Sequence, residues 1–277
     1  MDEEVTRLFP PPGARATLHG LYLAHELHKR ATDTRPFVYS NFVSSLDGRI
    51  GIAGNKRSTH SVPPAIANPR DWRLYQELAA QADLLITSGR FFRQSAIGEA
   101  QDRLPVDVQG EFGDILQWRL DQGLQAQPDI AIMSASLDFP PESLVPYQSR
   151  RIFVITGNES DSSRAAALQE RGIQILSAGS GGRADGDSMI SQLGGHGYRS
   201  IYSVAGPAVL HTLLEAGRLD RLYLTFACTL LGGDNYDTLT HGRQLEPAAN
   251  MPLAGLYHDP WAPEGCGQIL AYFDAGH

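Results

Sequence analysis

Cysteine is nearly absent from this 277-residue sequence, which contains only Cys228 and Cys266. The two residues stand far apart and have no companion cysteines, so they supply neither a disulfide framework nor a cysteine-based zinc site. We expect both side chains to be buried as small apolar groups. This cysteine usage favours a reducing compartment, and a cytoplasmic protein is predicted.

Long apolar runs and an excess of basic residues are also missing. No stretch approaches the roughly 20 apolar residues that span a membrane, and the first residues, MDEEVTRLFPPPG, are acidic where a secretory signal would be basic. Lys and Arg number 23 against 31 Asp and Glu, for a formal charge of −8. Because binding to a phosphate backbone needs clustered basic side chains, we expect neither nucleic acid nor a membrane as partner.

Several enzyme signatures do not occur. The G-x-G-x-x-G fingerprint of Rossmann dehydrogenases is absent, and so is the G-x-S-x-G elbow of serine hydrolases. His19, His25 and His28 lie close in sequence, but no carboxylate joins them in a metal-binding motif. We expect these histidines on a helix surface, and we predict no metal site.

What the sequence does contain is a regular alternation of helices and short apolar strands. Predicted helices cover residues 71–82, 162–172, 189–198 and 207–220, and predicted strands cover 83–89, 129–135, 151–157, 173–177 and 200–206. This alternation is typical of an α/β fold with a mostly parallel sheet flanked by helices. Two long strands without a helix between them, 221–233 and 266–275, predict an antiparallel edge at the C-terminus.

The first 34 residues stand apart from this alternation. In ARATLHGLYLAHELHKRA, residues 14–31, apolar residues recur near the helical period after a proline-rich lead. We therefore predict an N-terminal helical extension over 1–34 and one main domain over 35–277. Within that domain, residues 95–127 are expected to form an insertion of loops with one helix around 112–124.

Three predicted strand ends are rich in small residues: TSGR at 87–90, TGNESDSS at 156–163 and AGPAV at 205–209. Ligands of open α/β sheets lie beyond the carboxyl ends of the strands. Small residues allow close backbone approach there, and the free N–H groups of a following helix favour an anion. Each loop taken alone is also explained as a tight turn. Together, the three loops predict a site for the phosphates of a dinucleotide.

The segments SSLDGRIG, LLITSGR and SIYSVAGPAVLHTLLEAGRLDRLYLTFACTLLGGD resemble the reductase domain of riboflavin biosynthesis, the C-terminal domain of the bifunctional deaminase/reductase family. The resemblance runs from about Arg35 to Phe273. It implies the dihydrofolate-reductase-like fold, a homodimer, and an NADPH-dependent reduction that opens the ribose of a 5-amino-6-(5-phosphoribosylamino)uracil to the ribityl chain. The substrate implied is a small, phosphorylated pyrimidine.

By the same resemblance, the S-L-D-G element lies where the first main strand ends beside the nicotinamide. Ser45 and Asp47 are then the expected catalytic residues, and Asn41, Ser44 and Val204 are expected to contact the substrate. The alternative is a hairpin-type turn in which Asp47 only bonds its own backbone.

The three small-residue loops are the expected cofactor contacts. The residues that the resemblance assigns to the cofactor are Thr87, Ser88 and Gly89 at its phosphates, Arg90 at its 2′-phosphate, Thr156 and Gly157 at the adenosine, and Ala205, Gly206 and Pro207 at the pyrophosphate. A guanidinium forked onto a phosphate is a common recognition device. An exposed surface arginine is the alternative for Arg90.

The chain departs from the family pattern at two positions. Val204 stands where the family usually has Glu, and Phe91 or Phe92 stands where it has Thr. The deaminase signature H-x-E with P-C-x-x-C is also absent, so the reductase alone is predicted. Two alternatives stay open: a paralogue that reduces a different imine or carbonyl, and a non-catalytic nucleotide-binding protein.

Overall fold

The structure, a computed structural model, describes residues 4–53, 60–100, 103–106 and 110–276. Its strands are β1 (Glu4–Phe9), β2 (Ala14–Thr17), β3 (Phe37–Ser45), β4 (Gly51–Ala53), β5 (His60–Ser61), β6 (Leu84–Ser88), β7 (Asp129–Met133), β8 (Ile152–Thr156), β9 (Gln174–Ser177), β10 (Ser200–Ser203), β11 (Arg221–Ala227), β12 (Tyr236–Asp237), β13 (Leu253–Asp259) and β14 (Gln268–Asp274). Its α-helices are α1 (Pro69–Ala79), α2 (Gly89–Ala96), α3 (Gly113–Asp121), α4 (Ser162–Gln169), α5 (Gly186–Gly195) and α6 (Pro207–Glu215). Short 3-10 helices cover Leu23–His25, Leu27–Lys29, Gly110–Phe112 and Pro141–Tyr147.

Eleven strands form the main sheet, in the order β2-β1-β13-β14-β11-β3-β10-β6-β7-β8-β9. From β11 to β9 every neighbouring pair is parallel. The other four strands are antiparallel to their neighbours. The predicted α/β class and the mostly parallel sheet are confirmed, and antiparallel strands occupy one end of the sheet.

The outermost strands at that end are not the predicted ones. β11 and β14 pair antiparallel, as expected, but β13 adds beyond β14, and β1 and β2 add beyond β13. The strands predicted at 221–233 and 266–275 therefore belong to the antiparallel region but do not form the free edge of the sheet. The strand β13 was missed because its alternation is interrupted by a register shift between Leu253 and Gly255.

Helices cover both faces of the sheet. One buried cluster holds apolar side chains of α1 to α4, including Leu78 and Phe92, and the other holds those of α5 and α6, including Leu193 and Leu213. The parallel strands are buried on both faces, which explains their continuous apolar runs.

The predicted helix over residues 14–31 is wrong. The segment begins as strand β2 and continues as two 3-10 turns, because Gly20 and Glu26 both adopt positive φ, at 82° and 47°. His25 consequently does not lie on a helix surface but is half-buried, with Nδ1 at 2.6 Å from the hydroxyl of Tyr223. Since β1 and β2 extend the main sheet, the first 34 residues are not a helical extension.

Side chains of α1, and of Gln81 just beyond its end, accept hydrogen bonds from the backbone N–H groups of this segment. The Glu77 carboxylate accepts from the backbone N–H groups of Gly20 (2.6 Å) and Tyr22 (3.0 Å). Gln81 accepts from the N–H of Leu27 at 2.8 Å. The apolar spacing of the segment therefore reflects packing onto α1 and the sheet, not helical periodicity.

The expectation of two buried cysteines is also corrected. Cys266 is exposed and Cys228 is half-buried, since both lie at the end of the β11–β14 ladder, where the backbone N–H of Cys228 donates to the carbonyl of Gly267. Among the helices of the described residues, none has the length and apolarity needed to cross a membrane.

The packing of the N-terminal segment generates a stability prediction. Leu27 is fully buried, so Leu27→Ala should lower the free energy of unfolding by about 3 kcal/mol. Leu8→Ala, at a side chain that is 47% exposed, is the matched control and should change it by less than about 0.5 kcal/mol. Urea unfolding measures both. An equally small effect at both positions would contradict the docking of this segment.

Candidate functional site

The ends of two neighbouring strands form the base of the site. β6 and β10 are adjacent and parallel, and each leads into a helix, α2 and α6 respectively. Both helices therefore present their free N-terminal N–H groups at one edge of the sheet, where they favour an anion. A cavity of about 790 Å³ opens at this edge.

Eight of the predicted site residues line this cavity. They are Asn41, Thr87, Ser88, Arg90, Val204, Ala205, Gly206 and Pro207. They come from the middle of β3 and from the carboxyl ends of β10 and β6, three strands that are adjacent in the sheet. The structure thus brings the TSGR and AGP loops together with the first main strand.

Two glycines of these loops have different roles. A Cβ added at Gly206 would meet nothing within 4 Å, so the absent side chain leaves open space at the start of α6. A Cβ added at Gly89 would lie 2.8 Å from the Ser134 hydroxyl, so that glycine lets α2 pack against the residue that follows β7. Gly89 is not among the cavity-lining residues.

Arg90 crosses the cavity mouth. One guanidinium nitrogen lies 3.9 Å from the Asp237 carboxylate, and another donates to the carbonyl of His60 at 3.3 Å. Asp237 also lies 2.9 Å from His60 Nδ1. These two partners belong to a small antiparallel sheet of β12, β4 and β5, which closes one side of the cavity. The Arg90 side chain is 43% exposed, so an incoming anion can reach it.

The S-L-D-G element lies outside the cavity lining. Asp47 accepts from the Ser45 hydroxyl at 2.5 Å and from the backbone N–H groups of Leu231 and Gly232 at 3.3 and 2.8 Å, and Arg49 pairs with it at 2.6 Å. These contacts, that of Ser45 first, lower the pKa of Asp47 to about 2. The carboxylate therefore ties the turn to the segment that follows β11.

Three other predicted residues also stand away from the cavity. Ser44 is buried and donates to the carbonyl of Ser45 at 2.9 Å. Thr156 is fully buried, and a Cβ added at Gly157 would lie 1.8 Å from the carbonyl oxygen of Gly181. The loop containing Gly181 thus occupies the space beside the end of β8. The structure does not bring these three residues to the cavity.

The structure places Phe91 and Phe92 in different environments. Phe91 lines the cavity, whereas Phe92 is fully buried in the core against Phe139 and Tyr147. At the two positions where the chain departs from the family pattern, the apolar residues that line the cavity are therefore Phe91 and Val204.

Asp71, in the first turn of α1, is a cavity residue that sequence reasoning missed. Burial raises the pKa of this carboxyl to about 6, although a hydrogen bond with Thr225 opposes the shift. Perturbed carboxyls in clefts are frequent at functional sites. The signal was present in the sequence N-P-R-D: Asn68 caps the helix and Pro69 occupies its first position, which places Asp71 at a helix start.

Beside Asp71, Trp72 and Tyr75 form an aromatic wall of the cavity. Their rings are stacked with centroids 4.9 Å apart and an interplanar angle of 21°. Such a wall suits a flat, unsaturated ring. The cavity thus combines two helix N-termini, a titratable carboxyl and an aromatic surface.

A profile of the RibD C-terminal domain matches residues 36–260. Among solved structures, a pyrimidine reductase-like protein of Corynebacterium diphtheriae superposes with a TM-score of 0.63 at 17% identity, covering 87% of this chain and 92% of that one. RibD of Acinetobacter baumannii gives 0.58 at 16% identity, over 88% and 58% of the two chains. The riboflavin biosynthesis reductase Rib7 of Saccharomyces cerevisiae gives 0.56 at 13% identity, over 93% and 99%. No curated protein sequence matches the chain significantly.

The raised pKa of Asp71 predicts a pH-dependent stability. Because the folded state binds this proton more tightly than the unfolded state, the stabilisation is complete below about pH 4 and is lost as the pH rises through 6. Asp71→Asn should therefore gain stability relative to the parent between pH 4 and 7, by up to about 3 kcal/mol.

Urea midpoints at pH 4, 5, 6 and 7 measure this difference. Asp234→Asn, at an exposed aspartate, is the matched control. The same pH dependence in both variants would contradict a special environment for Asp71.

Proposed function

The chain belongs to the RibD C-terminal domain family, and we propose that it is an NADPH-dependent reductase of 5-amino-6-(5-phosphoribosylamino)uracil. The family is one of reductases, which supports an oxidoreductase. The observation that carries the proposal is the meeting of the two helix N-termini, α2 and α6, with Asn41 and Asp71 in one cavity. A dinucleotide and a small polar substrate both find suitable partners there.

The residues at the strand ends fit the phosphates of the cofactor. The N-terminal N–H groups of α6 and the open space at Gly206 suit a pyrophosphate, and Thr87 and Ser88 add hydroxyl groups beside the start of α2. Arg90 would bind the 2′-phosphate and lose its 3.9 Å contact with Asp237. When bound, NADPH supplies the hydride, and the protein supplies orientation and a proton.

We assign Asp71 as the proton donor. Reduction at the C1 carbon breaks the bond to the ribose ring oxygen, and that oxygen must then gain a proton. A carboxyl with a pKa near 6 is partly protonated at neutral pH and gives up its proton readily. Asn41 and the aromatic wall of Trp72 and Tyr75 would hold the pyrimidine ring.

The identity of the substrate has one competing candidate. Phe91 and Val204 replace polar family residues and line the cavity. A site that has lost a hydrogen-bonding group binds a polar substrate less well, so these two residues favour the paralogue that reduces another imine or carbonyl. The homodimer and the cytoplasmic location stay predictions.

Turnover separates these functions. Purified protein with NADPH and 5-amino-6-(5-phosphoribosylamino)uracil should consume NADPH in step with formation of the ribityl product. Consumption only with other imines or carbonyls would establish the paralogue. NADPH binding without turnover of any substrate would identify a non-catalytic nucleotide-binding protein.

Gly206→Val tests the cofactor placement. The side chain would project into the open space at the start of α6, so NADPH affinity should fall at least about tenfold. Because Gly206 is the N-cap of α6 and valine is a poorer N-cap residue, the free energy of unfolding should fall by no more than about 1 kcal/mol. Nicotinamide fluorescence measures the binding. Gly206→Ala, with one methyl group, is the matched control and should lose less. Unchanged affinity in Gly206→Val would contradict this placement of the cofactor.

Arg90→Ala tests the 2′-phosphate contact. Losing a charge-assisted fork should lower the preference for NADPH over NADH by roughly tenfold or more. Arg90→Lys keeps the charge without the fork and should retain part of the preference. Dissociation constants for both cofactors give the comparison. An equal loss for NADPH and NADH would make Arg90 a general contact.

A further inference from the structure

Tyr202 is a buried tyrosine whose hydroxyl reaches the candidate site. It lies on β10 and is fully buried. Its ring stacks on that of Tyr39, with centroids 4.9 Å apart and an interplanar angle of 12°, and is tilted against Tyr75 at 5.9 Å. The Tyr39 hydroxyl is in turn fixed by donating to the carbonyl of Leu78 at 2.8 Å. The ring contacts with Tyr39 and Tyr75 therefore set the position of the Tyr202 hydroxyl.

That hydroxyl donates to Asn41 Oδ1 at 2.5 Å. Tyr202 and Tyr39 are opposite each other in the parallel ladder of β10 and β3, and Asn41 follows Tyr39 by two residues, on the same face of the sheet. Burial raises the pKa of Tyr202 well above its ordinary value, so the phenol keeps its proton. Because the hydroxyl donates to Oδ1, the oxygen end of the Asn41 amide faces Tyr202.

The orientation has a chemical consequence. Oδ1 accepts the hydrogen bond from Tyr202. The two N–H donors on Nδ2 therefore remain for other partners. Among the described residues, the Asn41 side chain makes one hydrogen bond, and its partner is Tyr202. Since Asn41 lines the cavity, its free N–H groups are available to a ligand.

We propose that Tyr202 is a positioning residue that orients the Asn41 amide so that its N–H₂ group faces the ligand. Asn41 then donates a hydrogen bond to a ring carbonyl oxygen of the substrate. The nearby wall of Trp72 and Tyr75 selects a flat ring, and Tyr75 contacts Tyr202 directly. The ligand class is accordingly a planar heterocycle with a carbonyl group. The inference rests on the proposed function in taking that ring to be the pyrimidinedione of the substrate.

The test compares three variants. Tyr202→Phe keeps the stacked ring and removes the donor, which frees the Asn41 amide to rotate. Asn41→Asp keeps an acceptor for Tyr202 but presents a second oxygen to the ligand. Tyr39→Phe is the matched control, because it removes the hydroxyl of the stacked partner, which bonds Leu78 and not Asn41.

Two measurements are made on each variant at the same pH. Calorimetry gives the affinity for 5,6-diaminouracil, a pyrimidinedione without a sugar, and steady-state kinetics give kcat and KM for the phosphoribosylamino substrate. NADPH affinity and thermal stability are recorded alongside.

Tyr202→Phe should weaken diaminouracil binding and raise KM by about tenfold, with kcat changed much less. Asn41→Asp should lower kcat/KM by at least about a hundredfold, since two oxygens then face each other. Tyr39→Phe should match the parent in both measurements, and NADPH affinity should stay within about twofold throughout.

Equal KM and binding in Tyr202→Phe and the parent, or equal losses in Tyr202→Phe and Tyr39→Phe, would overturn the inference. So would a parent that reduces the substrate without binding diaminouracil. A parent that binds diaminouracil through Asn41 but reduces nothing would instead overturn the proposed function and leave this inference standing.

Discussion

Parallel pairing of β10 with both β3 and β6 is the constraint on which the site depends. Ser203 lies opposite Ser40 in one ladder and opposite Ile86 in the other. Ser40 also donates its hydroxyl to the carbonyl of Ser203 at 2.8 Å, and both side chains are fully buried. Since a one-residue slip would turn every side chain to the other face, this register decides that Asn41, Thr87 and Ala205 reach the same cavity.

The second wall of the cavity depends on charge pairing around α1. Two buried carboxylates that contact this helix have arginine partners: Glu77 pairs with Arg73, and Asp259 pairs with Arg70. Asp71, on the same helix, has a hydroxyl partner in Thr225 and no ion pair among the described residues. The carboxylates that hold the fold are thus paired with arginines, whereas the one that faces the cavity has no cationic partner among the described residues.

The alternation of helices and strands predicted the parallel part of the fold, because each buried strand is a short apolar run bounded by a helix signal. The strand ends with Thr87 and Ala205 were predicted to meet, and they do. The N-terminal segment was mispredicted because Leu18, Leu21 and Leu27 are spaced as in a helix but are buried by contacts with α1 and the sheet. The pattern N-P-R-D places Asp71 at a helix start, but the proximity of Asp71 and Asp237 to the strand ends is created by tertiary packing and has no signal in the sequence.

The position of β3 has a consequence for the order in which the chain is made. β3 is a central strand, yet its two neighbours are β10 and β11, which begin at residues 200 and 221. During synthesis, β6 to β9 can pair with one another, whereas β3 keeps both edges unpaired until β10 has been made, more than 150 residues later. An unpaired strand edge is a template for association with other chains. The strand that carries Asn41 into the site is therefore among the last of the parallel strands to gain a partner.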